Sequence, residues 1–297
     1  MSKDNLDSLG CLVVTLKSLE SLHLLCSYVE GLSLNSSDTF YDALCNTKSV
    51  KKLEFKVQSN DDSKMISTIF HHNESIEILR IHGMTNADHL AILFDGLSSN
   101  KTVAVLIVHP SCVSDSITLG PSIEKCLVTN QSLTFINFWG EPFTDIRNME
   151  ATWSSPQVCS ICTSLKSNNT LVTLDISGCQ IDNTASDAVC VMLSLNTSLQ
   201  HLFLNPVHLE KPEAVAIIDT CNTNTTLEVL SLVKWPKEKQ GNESIDDLEF
   251  TFSSNQEINR IISQVKKSRQ DKKKLDVLWN LKKYDPYKPH LSEMYMY

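Results

Sequence analysis

Glycine and proline are scarce, eight and nine in 297 residues. None of the glycines falls in a loop of the kind that cradles phosphate, which removes the common nucleotide-binding motifs. G-x-S-x-G, H-E-x-x-H and paired-carboxylate arrangements are missing too, so the chain is expected not to be an enzyme. No run approaches the roughly 18 to 20 apolar residues that a membrane span needs. The opening Met1-Ser2-Lys3-Asp4-Asn5-Leu6-Asp7 lacks the charged-then-apolar layout of a secretory signal, so a cytoplasmic location is expected. The ten cysteines show no paired spacing, as suits reduced, mostly buried thiols rather than a disulfide framework. The single C-x-x-C, Cys159 to Cys162, has no second pair and no His at ligand spacing. With Val158, Ile161 and Leu165 it reads as helix, and no metal or cofactor is expected. His71-His72 reads as surface.

Charge is unevenly present. The formal net charge is -9, yet between Arg260 and Lys288 ten Lys or Arg face only Asp271, Asp276 and Asp285, so that segment is +7 and the rest -16. An acidic body argues against nucleic acid as a partner, because phosphate contact needs a basic face. The basic tail reads first as a solvated helix, and otherwise as a segment that contacts an acidic surface or anionic membrane.

What the chain has in abundance is recurrence. The stretch Asn168 to Ile181 reads L-x-x-L-x-L-x-x-C-x-L behind an Asn-x-Thr. Aligning the first apolar position of each unit gives Leu19, Val50, Ile76, Val103, Leu133, Leu171, Leu199 and Leu227, with gaps of 31, 26, 27, 30, 38, 28 and 28. The second and third positions follow in every unit, from Leu22/Leu24 and Leu53/Phe55 to Leu202/Leu204 and Leu230/Leu232. Between them lie helical patterns such as Ala185 to Leu193 and Glu213 to Asp219. The pattern resembles the leucine-rich repeat, in which a coil buries its leucines only when a neighbour stacks on it. A period near 28 with a helix in every unit resembles the ribonuclease-inhibitor-like subclass, similar to the repeat arm of NOD-like receptors. The resemblance covers Leu19 to Leu232 and implies an α/β solenoid, or horseshoe, of about eight strand-turn-helix repeats with a parallel inner sheet and outer helices. The position that family gives to Asn or Cys is Cys179 in one unit, but Ser27, Gln58, Met84, Ser111, Glu141, Val207 and Trp235 elsewhere, so uneven bends are expected.

Three residues ahead of six triplets stand Asn73, Asn100, Asn130, Asn168, Asn196 and Asn224, each followed by x-Ser or x-Thr; Asn46 is one place out of line. All six are formally glycosylation sequons. The repeat offers a plainer reason: Asn tolerates the left-handed turn that ends a helix, and Ser/Thr starts the next turn. Residues 1–18 are expected to form an opening helix (Leu6, Leu9, Val13, Leu16), 19–254 the repeats, and 255–297 a helical cap followed by the basic tail. The capping-box pattern Ser254 to Glu257 heads that cap.

Alternate strand residues point opposite ways, so with the triplet inside, the intervening positions line the concave face. The candidate partner-binding residues there are Ile78, Arg80, His82, Val105, Ile107, His109, Phe135, Asn137 and Trp139, with His201 and Phe203 further on. The 38-residue gap holds an insertion from Trp139 to Pro156, whose Phe143 and Trp153 are candidate loop contacts. The expected function is recognition of a protein by this face, in innate-immune-type sensing or regulation. Two alternatives stay open: a GTPase activator of the type that serves Ran, and the substrate-binding subunit of a ubiquitin ligase.

Overall fold

The computed structural model describes residues 3–24, 38–57, 60–84, 87–110, 119–138, 153–206, 209–221, 223–232 and 276–278. Among the described residues eight helices alternate with eight parallel strands, and a ninth strand follows. The chain divides into two compact units, Met1–Gly140 and Glu141–Tyr297. Unit 1 runs α1 (Lys3–Thr15), β1 (Ser21–Leu24), α2 (Asp38–Asn46), β2 (Lys52–Lys56), α3 (Asn60–His72), β3 (Ile78–Met84), α4 (Ala87–Leu97), β4 (Val105–Pro110), α5 (Leu119–Thr129) and β5 (Phe135–Asn137). Unit 2 runs α6 (Ser155–Leu165), β6 (Thr173–Asp175), α7 (Asn183–Leu195), β7 (His201–Phe203), α8 (Lys211–Thr220), β8 (Val229–Ser231) and β9 (Asp276–Leu278). Within each unit every strand pairs in parallel with the next in sequence. This is the α/β repeat arrangement that the spacing implied.

The register follows from the apolar triplet. Leu22, Leu53, Leu79, Leu106 and Ile136 stand side by side in unit 1, and Leu174, Leu202, Leu230 and Val277 in unit 2. From Leu53 to Leu230 the described side chains in these rows are at most 2% exposed. Each adds about 1.5 to 3 kcal/mol of burial, which it gains only with neighbouring coils present. Helices cover the other side of this layer through Phe40 and Leu44, Ile69 and Phe70, Leu90 and Phe94, and Ile161 and Leu165. The Phe94 and Phe138 rings meet at 5.8 Å, tilted by 52°.

All six Asn residues close their own turns, and five of them also tie coil to coil. Asn100 Oδ1 accepts from the N–H groups of Thr102 and Val103 at 2.9 and 2.7 Å, while its Nδ2 donates to Phe70 O and Asn73 O in the coil before. Asn73, Asn130, Asn196 and Asn224 do the same, each closing its own turn and reaching back one coil. Asn168 accepts in the same way from Thr170 and Leu171. The Ser two places on often adds a bond to the preceding coil: Ser75 to Thr47 O, Ser132 to Asn100 O, Ser198 to Asn168 O.

The left-handed explanation for these asparagines is therefore wrong. Among the described non-glycine residues only Asn205 has positive φ (37°), and Asn196 is extended. For Asn73, Asn100, Asn130, Asn196 and Asn224 the value is four backbone hydrogen bonds per side chain, made to groups that would otherwise lose their partners. All six are at most 8% exposed, so none offers its nitrogen to a sugar in the folded chain. In the unit where Asn46 falls out of line, Thr47 takes the position, its Oγ1 accepting from Ser49 and Val50 at 3.4 Å.

Of the expected cap and tail, only Asp276–Leu278 is described, and it is a strand in register with β8. The Ser254 to Glu257 capping pattern lies outside the described residues.

Candidate docking face

With the triplets inside, the residues between them form rows on the opposite side of the unit 1 sheet. One row is Ser21, Lys52, Ile78, Val105 and Phe135; the next is His23, Glu54, Arg80, Ile107 and Asn137; the third holds Lys56, His82 and His109. Their surroundings differ. Lys52 and His23 are exposed, Ile78, Arg80, His82, Val105 and Phe135 are half-buried, and Ile107 and Asn137 are buried at 6% and 1% exposure. The accessible part is therefore an apolar row, Ile78, Val105 and Phe135, flush with a charged one.

Glu54 anchors the charged row. His23 Nδ1 donates to its Oε2 at 2.6 Å and His82 Nε2 to its Oε1 at 2.8 Å, since an ionised carboxylate can only accept. Burial pushes the Glu54 carboxyl up, but the bonds from His82 and then His23 outweigh it and hold it below its ordinary value. Three strands, β1, β2 and β3, are joined by this clamp.

The ladder side of unit 2 is of another kind. Thr173, Asp175, Phe203, Asn205 and Ser231 are each at most 4% exposed. Ser231 Oγ donates to Asn205 Oδ1, Asn205 Nδ2 to Ser177 Oγ at 2.8 Å, and Ser177 Oγ to Asp175 Oδ1 at 2.6 Å. Burial raises the Asp175 carboxyl to about 6, against the lowering effect of its two bonds from Ser177. His201 is half-buried, with Nδ1 2.9 Å from Thr173 Oγ1.

No family model matches this sequence. No curated protein matches it. Among solved structures the chain is similar to one described as "Leiomodin-1 Actin-Binding Site 2 (ABS2)", at 12% identity and a TM-score of 0.33, covering 62% of this chain and 86% of that one. A likeness so shallow carries no argument about partner or activity.

The candidate residues thus sort by place. Ile78, Arg80, His82, Val105 and Phe135 come together on an accessible face, whereas Ile107, Asn137 and Phe203 belong to the buried interior. His109 is described only through its backbone, in β4. Trp139 and Phe143 lie outside the described residues. Trp153 is fully buried; it bridges to Cys179, and its carbonyl accepts from Gln180 N–H at 2.7 Å. It is a core residue of unit 2 rather than an exposed loop contact, because a large ring gains most when its whole surface leaves water.

His23 and Glu54 are the residues that the candidate set omits. Aligning the repeats puts them in one row, with His82 one step along the next, and an acid between two imidazoles on adjacent strands was the available signal.

Among the described residues the buried cysteines are held as neutral thiols. Burial raises the thiols of Cys162 and Cys179, and pushes Cys126 up to about 12, away from the thiolate a nucleophile needs. Cys179 instead donates from Sγ to Leu204 O at 3.2 Å, tying its bend to the next strand. Among the described residues no group of three or more His, Cys, Asp or Glu is placed to hold a metal, and no helix is long and apolar enough to cross a membrane.

Proposed function

We propose that this chain is a non-enzymatic protein-binding module of the ribonuclease-inhibitor-like leucine-rich-repeat kind, acting inside the cell and taking its partner on the ladder face of unit 1. The observation that supports this is the row Ile78, Val105 and Phe135: three apolar side chains in register on adjacent strands, half open to water, with Ile107 buried beside them as a floor. Such a row is the apolar anchor that carries most of the energy in many interfaces, and the charged row beside it supplies the polar rim. A partner closing over it gains area without reordering the sheet, because the backbone beneath is fixed by the ladder.

The test compares wild type with Ile78→Ser and Phe135→Ala in quantitative affinity capture from source lysate followed by mass spectrometry. Both variants keep their core triplets, so circular dichroism and melting should stay near wild type while the specific partner is lost. Capture of the same proteins by all three forms would overturn the reading.

A further inference from the structure

We infer that α1 is a self-association surface, on which a second copy of this chain packs its own α1 antiparallel. The surface is distinct from the ladder face. A Cβ on Gly10 would meet the backbone of Phe40 and Thr39 in α2, so that side of α1 is turned towards the next coil. Val14, four places on, shares that side, whereas Leu12, two places from each, lies about 200° round on the far side. Leu9 and Leu16 stand three before and four after Leu12, which puts the three leucines on one stripe. Leu12 and Leu16 are 49% and 44% exposed, and Leu9 is half-buried.

Later coils use these places to grip the coil before. Leu16 stands three residues ahead of Leu19, where later coils carry the Asn whose nitrogen donates one coil back. Leu12 stands four residues earlier still, where Gly96 lies against Ser67 of the preceding helix and where Ile69, Cys126 and Met192 are fully buried. A terminal coil that is to meet water carries a polar outer face. Here α1 carries leucines instead. Yet Leu16 has no donor to offer the carbonyls that end a preceding helix, so the stripe does not suit another coil of the same repeat.

A copy of itself fits by symmetry and by charge. With the two helices antiparallel about a two-fold axis, Leu12 faces Leu12 and Leu9 faces Leu16, so the stripe is its own complement. None of the three positions is charged. Two chains of formal charge -9 therefore meet here without setting like charges directly against each other.

Sedimentation velocity on the full chain from about 1 to 100 μM tests this, a range suited to a small helix-pair contact. The wild type should pass from monomer to dimer. Leu12→Glu sets two carboxylates together at the axis and should weaken the dimer about tenfold or more. Its circular dichroism should stay unchanged, because the side chain is already half in water. Leu12→Ser should give a smaller loss in the same direction and covers the case in which the added charge perturbs folding. Val14→Glu, on the other side of α1, and Leu195→Glu, at the exposed Val191 and Leu195 of α7, should leave dimerisation within about twofold. In a Cys11→Ser background, Leu12→Cys should cross-link to itself with oxidised glutathione, and Val14→Cys should not.

A monomer throughout that range, equal loss in Val14→Glu and Leu12→Glu, or loss confined to Leu195→Glu would overturn the inference. The docking reading is tested apart from it, since Ile78→Ser lies off α1 and should dimerise as the wild type does.

Discussion

Asn100 satisfies four backbone groups from one side chain, two N–H groups ahead of it and two carbonyls in the coil behind. Alanine there removes all four bonds, at a cost of order 1 to 3 kcal/mol for each group left buried and unpaired before relaxation. Asn100→Ala should therefore lower unfolding free energy by roughly 2 to 4 kcal/mol in urea titration. Asn100→Asp should be no better, since it keeps the acceptor but sets a carboxylate against two carbonyls. Asp175 behaves differently. Its folded pKa lies above the ordinary carboxylate value of 3.8, at about 6, so the folded chain favours the protonated form. The penalty of ionising it is fully present above pH 6 and fades as pH falls towards 4. Asp175→Asn keeps Oδ1 for both Ser177 bonds and should stabilise the protein by roughly 2 to 3 kcal/mol at pH 8, at about 1.4 kcal/mol per pKa unit. The gain should shrink towards zero at pH 4; an equal gain at both pH values would show that charge burial is not the cause.

Helix packing at the element scale has two points with no slack. A Cβ on Gly96 of α4 would lie 2.7 Å from Ser67 Cα and 2.8 Å from Ser67 O on α3. One on Gly10 of α1 would lie 2.9 Å from both Phe40 Cα and Thr39 O on α2. Backbone cannot yield as a side-chain tip does, so Gly96→Ala should destabilise by about 1 to 3 kcal/mol despite alanine's better helix propensity. Thermal melting checks the sign: a rise in Tm would mean that the helices can separate freely. Such contacts explain where the sequence was readable and where it was not. The triplets Leu79/Ile81 and Leu202/Leu204 announce strands because period and burial coincide at every recurrence. The Asn residues announce a position but not a role, since backbone tolerance and side-chain bonding favour the same residue type. β9 went unread because Val277 follows no Leu at the first triplet position, Lys274 standing there instead. At the candidate face, strand alternation points to Ile78 and Phe135, but which alternate residues stay open to water depends on what packs over them, and alternation is silent on that for Ile107 and Phe203.

For each unit as a whole, the packing is between neighbours in sequence: α3 lies against α2 and α4, α7 against α6 and α8, and each strand against the next. The Asn bonds have the same reach, one coil back and no more. Stability in such a stack is close to a sum of coil terms and nearest-neighbour terms, so a local lesion should stay local. Hydrogen exchange on Asn100→Ala tests this within unit 1. Amides of β4 and of the flanking β3 and β5 should lose protection, because the lost side chain linked the turn before β4 to Phe70 and Asn73 and left Asn130 pairing with a loosened Asn100 carbonyl. Amides of α1, whose helix packs on α2 rather than on any element touching Asn100, should exchange as in wild type. Uniform loss of protection from α1 to β5 would mean that the unit melts as one block, with coupling carried by the continuous rows of Leu53, Leu79 and Leu106 more strongly than by the polar links between coils.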